Sequence, residues 1–427
     1  MTGSIKIRLF PTEEQEDKLW EHVHAARKVW NWGLNIEMEL FQNNEKHLSA
    51  YSLKKVLTQA KKSDELKWLN NVSSQTLNYV LLDLGKAYDD FFAVKPARYT
   101  KAKKAKAART GKKLTSYDLE GHPKFKSKKD NDFRFPVRYD HTYFADRHVN
   151  IEKIGKISYQ SDQKGVASLQ SDEAKTSFPQ GKDACKISNP RIKYTNGKWI
   201  LSFGMERDNQ ALSLTNKPLG IDLGIKTTVT ASFGGERIEY HNINKSKRVR
   251  GMERKLRHIQ RSLSRKYETN GKRDIKSKYG QTKGVMKVKA LKQKIESKLS
   301  NIRKNHTHQT THELVSLLPH RVVMEDLSVK NMMKNKHLSK AIQDQAWGEF
   351  IRQMKYKCEW SGIEFIQVGR YYPSSKKCSG CGFIKKDLKL RDRVYECDAC
   401  GLVIDRDYNA ALNLERYGLP EEKGQSA

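Results

Sequence analysis

The opening ninety residues show first strand and then helix periodicity. Apolar side chains occupy every second position at the start of the chain, which predicts a short strand over Ile5–Phe10. Pro11 ends this strand, and Thr12 with Gln15 forms a capping box that predicts the start of a helix. Two apolar series at helical spacing follow, so residues 11–93 are expected to form a helical domain. The members of these series are Leu19, Val23, Ala26, Trp30 and Leu34, then Leu77, Leu81, Leu84, Tyr88 and Phe91.

Between residues 133 and 206 the apolar period changes to two, which indicates strands. The dipeptide Asn196-Gly197 is a strong signal for a two-residue type I′ hairpin turn. It separates Ile192 and Tyr194 from an alternating series that begins at Trp199. We therefore predict a small β-domain here, and we expect the first strand of the chain to join it.

From Leu219 onward, strands and helices are mixed. Residues Ile221–Ser232 predict one strand, and two glycines after it predict a turn into another, Glu236–Tyr240. Two amphipathic helices follow within residues 241–305, where 22 Lys and Arg outnumber four acidic residues. The later apolar runs predict a strand over Val322–Leu327, a helix around Trp347–Cys358 and a strand over Ile363–Val368.

Residues 95–113 differ in character from their surroundings. They contain nine Lys and Arg and no acidic residue. Such a block is usually disordered until it meets a polyanion. A solvated linker is the alternative interpretation.

The composition indicates a nucleic-acid partner. Lys and Arg number 82 against 49 Asp and Glu, so the formal net charge is +33 and the pI is about 9.7. An excess of this size repels itself unless a polyanion neutralises it, and nucleic acid is the obvious polyanion. An acidic membrane surface is the alternative, but no apolar run of 18 residues and no lipidation motif is present. The length of 427 residues predicts two to four domains.

The cellular location is predicted from the N terminus and the cysteines together. Residues 1–10 alternate instead of presenting the apolar core of a signal peptide. Four of the six cysteines form C-x-x-C pairs, which in a chain without an export signal indicate metal ligands before disulfides. We therefore expect the reducing cytoplasm, and with the nucleic-acid partner a nucleoid association.

The two C-x-x-C pairs are separated by 15 residues. Each pair lets two thiolates bind one metal ion from a tight turn, and Gly380, Gly382 and Gly401 supply the backbone angles that such turns need. Two pairs give a closed tetrahedral site, the form expected of structural zinc. A redox pair is the alternative, although neither pair lies in a thioredoxin-like sequence. The predicted zinc ligands are Cys378, Cys381, Cys397 and Cys400.

Three acidic positions in separate elements form a candidate catalytic group. Asp222 lies in an apolar strand, and Glu325 ends another, where a charge is costly unless it is paired or bound to metal. The run Asp405–Asn413 enters a helix, and either Asp405 or Asp407 could be its N-cap. Together such acids could hold one or two Mg²⁺ ions for phosphodiester hydrolysis. Structural ion pairs are the alternative, and spacing alone does not decide between them.

At these residues the chain resembles the TnpB proteins, which are encoded by bacterial and archaeal insertion sequences and are similar to the type V CRISPR effector nucleases. The resemblance covers nearly the whole chain, with the motifs in the family's order. The motifs are Gly-Ile-Asp-Leu-Gly-Ile-Lys at 220–226, Val-Met-Glu-Asp-Leu at 323–327, Tyr-Pro-Ser-Ser-Lys-Lys-Cys-Ser-Gly-Cys-Gly at 372–382 and Asp-Arg-Asp-x-Asn-Ala-Ala-x-Asn at 405–413, with Ile-Arg-Leu-Phe-Pro-Thr-x-x-Gln at 7–15, Val-Trp-Asn-Trp at 29–32 and His-Pro-Lys-Phe-Lys-Ser-Lys-Lys at 122–129.

The resemblance implies an α+β multidomain nuclease. A RuvC-like, RNase H-type domain would be interrupted by a Cys₄ zinc ribbon and preceded by a helical recognition domain and a small, barrel-like wedge β-domain. The implied domains are residues 1–10 (first wedge strand), 11–121 (recognition domain, with the Lys-rich block as an insertion), 122–215 (wedge), 216–375 (nuclease), 376–402 (zinc ribbon) and 403–427 (end of the nuclease domain).

The resemblance also implies an activity and its partners. The protein would cut double-stranded DNA beside a short motif. Its guide RNA would be transcribed from the end of the insertion sequence, and one protein chain would bind each guide RNA. Asp222 and Glu325 carry over as the first two catalytic carboxylates, and Asp407 as the third, with Asp405 as its neighbour. A catalytically silent RNA-guided repressor is the first rival interpretation. A transposase and a zinc-ribbon transcription regulator are the others. Trp30, Trp32, Tyr371 and Tyr372 are candidates for stacking on bases, against burial in the core.

Overall fold

The chain divides into two compact units, Met1–Arg207 and Asp208–Ala427. The computed structural model describes residues 2–43, 45–93, 98–111, 113–128, 132–138, 142–145, 147–159, 187–206, 212–272, 282–389 and 391–418. None of the helices in these ranges is long and apolar enough to cross a membrane.

The helices of the first unit begin at the capping box that the sequence predicts. The Thr12 side chain accepts a hydrogen bond from the Gln15 backbone, and the Gln15 side chain accepts one from the Thr12 backbone. Leu19, Val23 and Leu34 are buried along the first helix, as their spacing predicts. The helices are α1 (Glu13–Gln42), α2 (Ala50–Ala60), α3 (Ser74–Ala93) and α4 (Lys101–Thr110), with a 3₁₀ turn at Lys67–Asn71.

Helix α4 corrects the expectation of disorder in the Lys-rich block. Its N-cap Thr100 accepts a hydrogen bond from the Lys103 backbone, and Gly111 ends the helix with a φ of 67°. Four alanines between the lysines favour helix strongly enough to offset repulsion between like charges. Lys103 also pairs with Asp118 at 3.0 Å, which ties the helix to the following segment.

The first unit also contains a seven-stranded antiparallel sheet within the described residues. At the predicted hairpin turn Asn196 and Gly197 have φ values of 51° and 74°, and Tyr194 pairs with Trp199 across it. The first strand of the chain joins this sheet, between β7 and β5 in the order β2-β6-β7-β1-β5-β4-β3. Closure into a barrel stays a prediction. The strands are β1 (Thr2–Phe10), β2 (Phe133–Pro136), β3 (Tyr143–Ala145), β4 (His148–Ile151), β5 (Gly155–Tyr159), β6 (Ile187–Thr195) and β7 (Lys198–Glu206).

A five-stranded mixed sheet forms the centre of the second unit, in the order β10-β9-β8-β11-β12. The strands β8, β11 and β12 are parallel, and β9 runs antiparallel to both of its neighbours. Strands β8 and β9 are buried on both faces, which explains why their sequences do not alternate between apolar and polar residues. The strands are β8 (Pro218–Leu223), β9 (Thr227–Phe233), β10 (Glu236–His241), β11 (Arg321–Glu325) and β12 (Glu364–Val368).

The prediction of a single strand over Ile221–Ser232 is wrong. The chain reverses at residues 224–226, where the Gly224 backbone donates to the Thr228 carbonyl at 3.2 Å. A Cβ on Gly224 would lie 2.6 Å from the carbonyl oxygen of Thr227, so this tight reversal depends on glycine. Because of the reversal, Asp222 lies near the end of a strand and not near its beginning.

Helices of the second unit pack around this sheet and extend from it. The two long basic helices α5 and α6 pack on each other through Val249, Ile259, Ile295 and Leu299. A small antiparallel ribbon, β13 (Val394–Glu396) with β14 (Val403–Asp405), precedes the last helix. The helices are α5 (Lys247–Lys272), α6 (Lys283–Ser316), α7 (Val329–Met332), α8 (Ser339–Gln345), α9 (Trp347–Trp360) and α10 (Arg406–Glu415).

Candidate functional site

Two of the three candidate carboxylates lie side by side at one edge of the mixed sheet. Strands β8 and β11 are parallel neighbours, and Ile221 pairs with Met324. The next residue on each strand is acidic, so Asp222 and Glu325 lie together at the carboxyl edge of the sheet. This edge is where open α/β sheets usually hold their ligands.

The third carboxylate reaches this edge on helix α10. Asp405 ends strand β14 and caps the helix, because its side chain accepts hydrogen bonds from the backbones of Asp407 at 3.1 Å and Tyr408 at 3.0 Å. The Asp405 carboxylate also lies 3.4 Å from the Arg237 guanidinium. Asp407, in the first turn, is close enough to Asp222 to interact with its charge. The structure thus gives Asp405 the N-cap role that the sequence left open between the two residues.

The negative charges of Glu325 and Asp407 both act on Asp222. Burial raises the pKa of Asp222 to about 8, with further contributions from the charges of Glu325 and Asp407, and the opposing charge of Arg406 is smaller. All three acids are half-buried. A divalent cation would remove this repulsion and satisfy oxygen ligands of the kind that Mg²⁺ prefers, so the donor set fits. The carboxylates are farther apart than the four thiols. Within the described residues, only the thiols bring their potential ligand atoms within 4.8 Å of one another.

The raised pKa makes the stability of the metal-free protein depend on pH. An unfolded Asp titrates near its ordinary pKa of about 3.9, whereas folded Asp222 has a pKa of about 8. Its contribution to stability is complete below the unfolded pKa and is lost as the pH rises through the folded pKa. In EDTA we expect Asp222→Asn to raise the free energy of unfolding by roughly 2–3 kcal/mol at pH 8.5, and by little near pH 4.5.

Urea unfolding at several pH values measures this effect. Asp326→Asn is the matched control, since this exposed carboxylate neighbours Glu325, and it should leave the pH dependence as in the wild type. Addition of Mg²⁺ should stabilise the wild type and not Asp222→Asn. Parallel pH curves for wild type and Asp222→Asn would contradict the proposed coupling.

Buried polar residues hold Glu325 and helix α10 in fixed relative positions. The Ser374 hydroxyl donates a hydrogen bond to the Glu325 carboxylate. The Asn413 amide donates to the carbonyls of Ser374 at 2.8 Å and Lys377 at 2.6 Å. Ser374 and Asn413 are almost fully buried. One short segment therefore connects the second carboxylate to the helix that carries the third.

Helix α10 lies directly against strand β8. A Cβ on Gly220 would lie 2.2 Å from both the Ala411 carbonyl oxygen and the Glu415 backbone nitrogen. The buried Glu415 carboxylate accepts hydrogen bonds from the Ser232 hydroxyl and from the Gly235 backbone at 3.2 Å. These contacts bring Asp407 to the end of the strand that carries Asp222.

The four predicted zinc ligands form one cluster. The Cys378 and Cys400 sulfurs are 3.7 Å apart, and those of Cys381 and Cys397 are 3.5 Å apart. The two halves have matching turns. The Gly382 backbone donates to the Cys378 carbonyl at 3.0 Å, and the Gly401 backbone donates to the Cys397 carbonyl at 2.9 Å. This geometry fits a tetrahedral metal ion bound by two turns.

The role predicted for the glycines in this cluster needs one correction. Gly382 and Gly401 have φ values of 79° and 71°, as expected. Gly380 does not have a positive φ. It instead lies below the sulfurs, where its backbone N–H approaches the Cys378 sulfur at 3.4 Å and an added Cβ would lie 3.8 Å from the Cys400 sulfur.

The cluster is joined to helix α10 by a second buried amide. Asn409 is fully buried, accepts a hydrogen bond from the Ser379 backbone at 2.9 Å and donates to the Lys377 carbonyl at 2.8 Å. Together Asn409 and Asn413 bind both sides of the first cysteine turn. Both residues belong to the motif at 405–413, and the signal for this role is their spacing, since two Asn four positions apart share a helix face.

The other aromatic and cysteine candidates divide between core and surface. Trp30 is 8% exposed and donates to the Lys124 carbonyl at 2.9 Å, so it belongs to the core, and Trp32 packs against the same cluster. Cys358 is fully buried in helix α9 and packs in the core of the second unit. Tyr371, by contrast, is 94% exposed. Cys185 lies outside the described residues.

Comparison with protein families gives three matches along the chain. A family model described as "Helix-turn-helix domain" matches residues 1–46, where the structure has strand β1 and the single long helix α1. One described as "Probable transposase" matches residues 202–336, and one described as "Cas12f1-like, TNB domain" matches residues 347–414. The last two contain all three carboxylates and all four cysteines of the site.

Comparison with individual proteins covers nearly the whole chain. A "Putative RNA-guided DNA endonuclease" of Streptomyces pristinaespiralis is 29% identical over 416 residues, which cover 97% of this chain and 89% of the relative. "Putative RNA-guided DNA endonuclease InsQ" of Escherichia coli K12 is 25% identical over 97% of this chain and 92% of the relative. In a cryo-EM structure of a Cas12f1–sgRNA–target DNA complex, the protein has a similar fold, with a TM-score of 0.52 and 14% identity over 97% of this chain and 98% of that chain.

Proposed function

Because the chain belongs to the TnpB family, we propose that it is an RNA-guided DNA endonuclease of a transposable element. It cuts double-stranded DNA next to a short motif by metal-dependent phosphodiester hydrolysis. The observation that carries this proposal is the meeting of Asp222, Glu325 and Asp407 at the carboxyl edge of the mixed sheet.

The sheet supports an RNase H-type, RuvC-like nuclease domain. Counted from β8, its strands have the order 3-2-1-4-5, with the second strand antiparallel. This order, with acids at the adjoining ends of the first and fourth strands, supports the nuclease fold and the metal site that the family resemblance implies.

The proposed catalytic cofactor is Mg²⁺, bound as two ions by Asp222, Glu325 and Asp407. When bound, such ions activate water and stabilise the leaving oxygen of a phosphodiester. The chain's own residues prepare the carboxylates for this role. Ser374 holds the Glu325 carboxylate, and Asp405, not Asp407, caps the helix backbone. The contact of helix α10 with Gly220 keeps the first and third acids together.

The cysteine cluster is proposed to hold a structural Zn²⁺. Four thiolates close the coordination shell, so no position is left for substrate. Since Asn409 and Asn413 bind the first cysteine turn, the metal ion would stabilise the segment that contacts Glu325. Its contribution to catalysis is therefore indirect.

The proposed partners are a guide RNA and a target DNA duplex. The protein contacts such nucleic acids mainly through their phosphates, while base pairing reads the sequence. Exposed arginines supply this kind of contact on helix α5, where Arg257, Arg261 and Arg265 follow one another at four-residue intervals on one face. The net charge of +33 agrees with a large bound polyanion.

Reprogramming the guide tests the proposed function. The protein would be co-expressed with the DNA flanking its gene, its bound RNA sequenced, and the guide segment replaced. A plasmid with the matching target and a randomised flank should be linearised, and a plasmid matching the original guide should not. Guide-directed binding without cutting would support the silent repressor instead, and cutting that ignores the guide would refute RNA guidance.

A further inference from the structure

A short turn between strand β12 and the first cysteine contacts Glu325 at both of its ends. Val368, which precedes the turn, pairs in register with Glu325, and its carbonyl accepts a hydrogen bond from the Asp326 backbone at 3.2 Å. Ser374, which follows the turn, donates to the Glu325 carboxylate. The intervening residues 369–373, here called the tyrosine turn, therefore project from the edge that carries the carboxylates.

The tyrosine turn is held in one conformation. The Tyr372 backbone donates to the Gly369 carbonyl at 2.9 Å, and the Tyr372 hydroxyl donates to the Asn413 carbonyl at 3.1 Å. The Tyr372 ring packs edge-on against Tyr417 with centroids 5.1 Å apart. Arg370 lies 3.4 Å from the Asp326 carboxylate. The turn is thus fixed by groups on three sides.

Tyr371 lies at the apex of this fixed turn and points into solvent. Its side chain is 94% exposed, the highest value among the large apolar residues that the structure describes as exposed. A large exposed ring contributes little to folding, and Gly, Asn, Asp and Ser are the usual residues at such positions. Because the backbone of the turn is fixed, a ring carried on it has less freedom to lose on binding.

We propose that Tyr371 is a stacking platform for a base of the DNA strand that is being cut. Stacking suits a single strand because every base presents a π-face, so the contact does not depend on sequence. It also adds affinity without charge, which matters beside three carboxylates that repel the phosphates. The base stacked on Tyr371 would fix the neighbouring phosphodiester against Asp222 and Glu325. This inference rests on the proposed function and adds a substrate contact to it.

A fluorescent base analogue tests the proposal without cleavage. The guide complex of Asp222→Asn would bind target duplexes that carry one 2-aminopurine at successive positions of each strand. Tyr371 should quench the fluorescence at one or two adjacent positions beside the cut. Tyr371→Leu should lose this quenching, and Tyr371→Phe should keep it. Phe383→Leu, which replaces another exposed ring, is the matched control and should keep it.

Kinetics and melting separate stacking from a structural role. In the cleavage-competent protein, Tyr371→Leu should raise the KM for target DNA roughly tenfold with a smaller change in kcat, and Phe should restore it. The melting temperature should not change, because the side chain is exposed. Quenching and KM unchanged in Tyr371→Leu would overturn the proposal, as would a lowered melting temperature that Phe does not restore. Position-specific quenching in Asp222→Asn, together with no cleavage by the wild-type complex in Mg²⁺, would support the base contact while refuting the nuclease.

Discussion

Replacing Cys397 by Ala is expected to release the metal ion from the cysteine cluster and to abolish DNA cleavage. A structural zinc site contributes on the order of 10–16 kcal/mol to the folding of a small module. Without it the first cysteine turn keeps its hydrogen bonds to Asn409 and Asn413, each worth about 1 kcal/mol, and the small core around Tyr395, which together contribute less than the metal ion. The loss should extend to the sheet edge, because Ser374 contacts Glu325 and Asn413 holds Ser374.

Metal analysis and melting measure this effect. The wild type should contain one zinc per chain, and Cys397→Ala should contain almost none, with a lowered melting temperature. Cys358→Ala is the matched control, because Cys358 is buried in helix α9 and outside the cluster, and it should retain the zinc. Full zinc content and normal cleavage in Cys397→Ala would contradict the role given to the cluster.

Replacing Gly220 by Ala is expected to displace helix α10 and to destabilise the second unit by about 3 kcal/mol or more. The new Cβ would lie 2.2 Å from two backbone atoms of the helix, which cannot rotate away as a side chain would. The helix would have to move, and Glu415 would lose its hydrogen bonds to Ser232 and Gly235. Since Asp407 is on this helix, cleavage should fall together with stability.

The same substitution elsewhere in the chain provides the control. A Cβ on Gly251 in helix α5 meets nothing within 4 Å, so Gly251→Ala should stabilise the protein slightly through helix propensity. Urea unfolding of both variants beside the wild type measures the difference. Equal unfolding midpoints for Gly220→Ala and the wild type would show that helix α10 is not packed on the strand as described.

Features set by local chemistry could be predicted from the sequence. The capping box at Thr12, the hairpin at Asn196-Gly197 and the pairing of Tyr194 with Trp199 all depend on neighbouring residues, and all are confirmed. The cysteine cluster is confirmed for a similar reason, since each half is one tight turn. Such features are encoded within a few positions of the chain.

Features set by packing between distant residues could not be predicted in this way. The reversal at Gly224 separates two strands that show no clear alternation, because both strands are buried on both faces. Helix α4 is a different case, because its local sequence contains two opposing signals, the repulsion between like charges and the helix propensity of alanine. The bond from Ser374 to Glu325 joins residues 49 positions apart, and no local pattern indicates it.

Single-turnover cleavage of a guided DNA duplex tests the central claim most directly. The wild-type complex would be compared with Asp222→Asn, Glu325→Gln and Asp407→Asn, each in Mg²⁺ and in EDTA, after RNA content and target binding are shown to be equal. We predict cleavage by the wild type in Mg²⁺ alone, and a rate at least roughly a thousandfold lower in each variant, since the ions supply several kcal/mol of transition-state stabilisation. Cleavage in EDTA, or near-normal rates in the variants, would contradict the proposed three-carboxylate metal site.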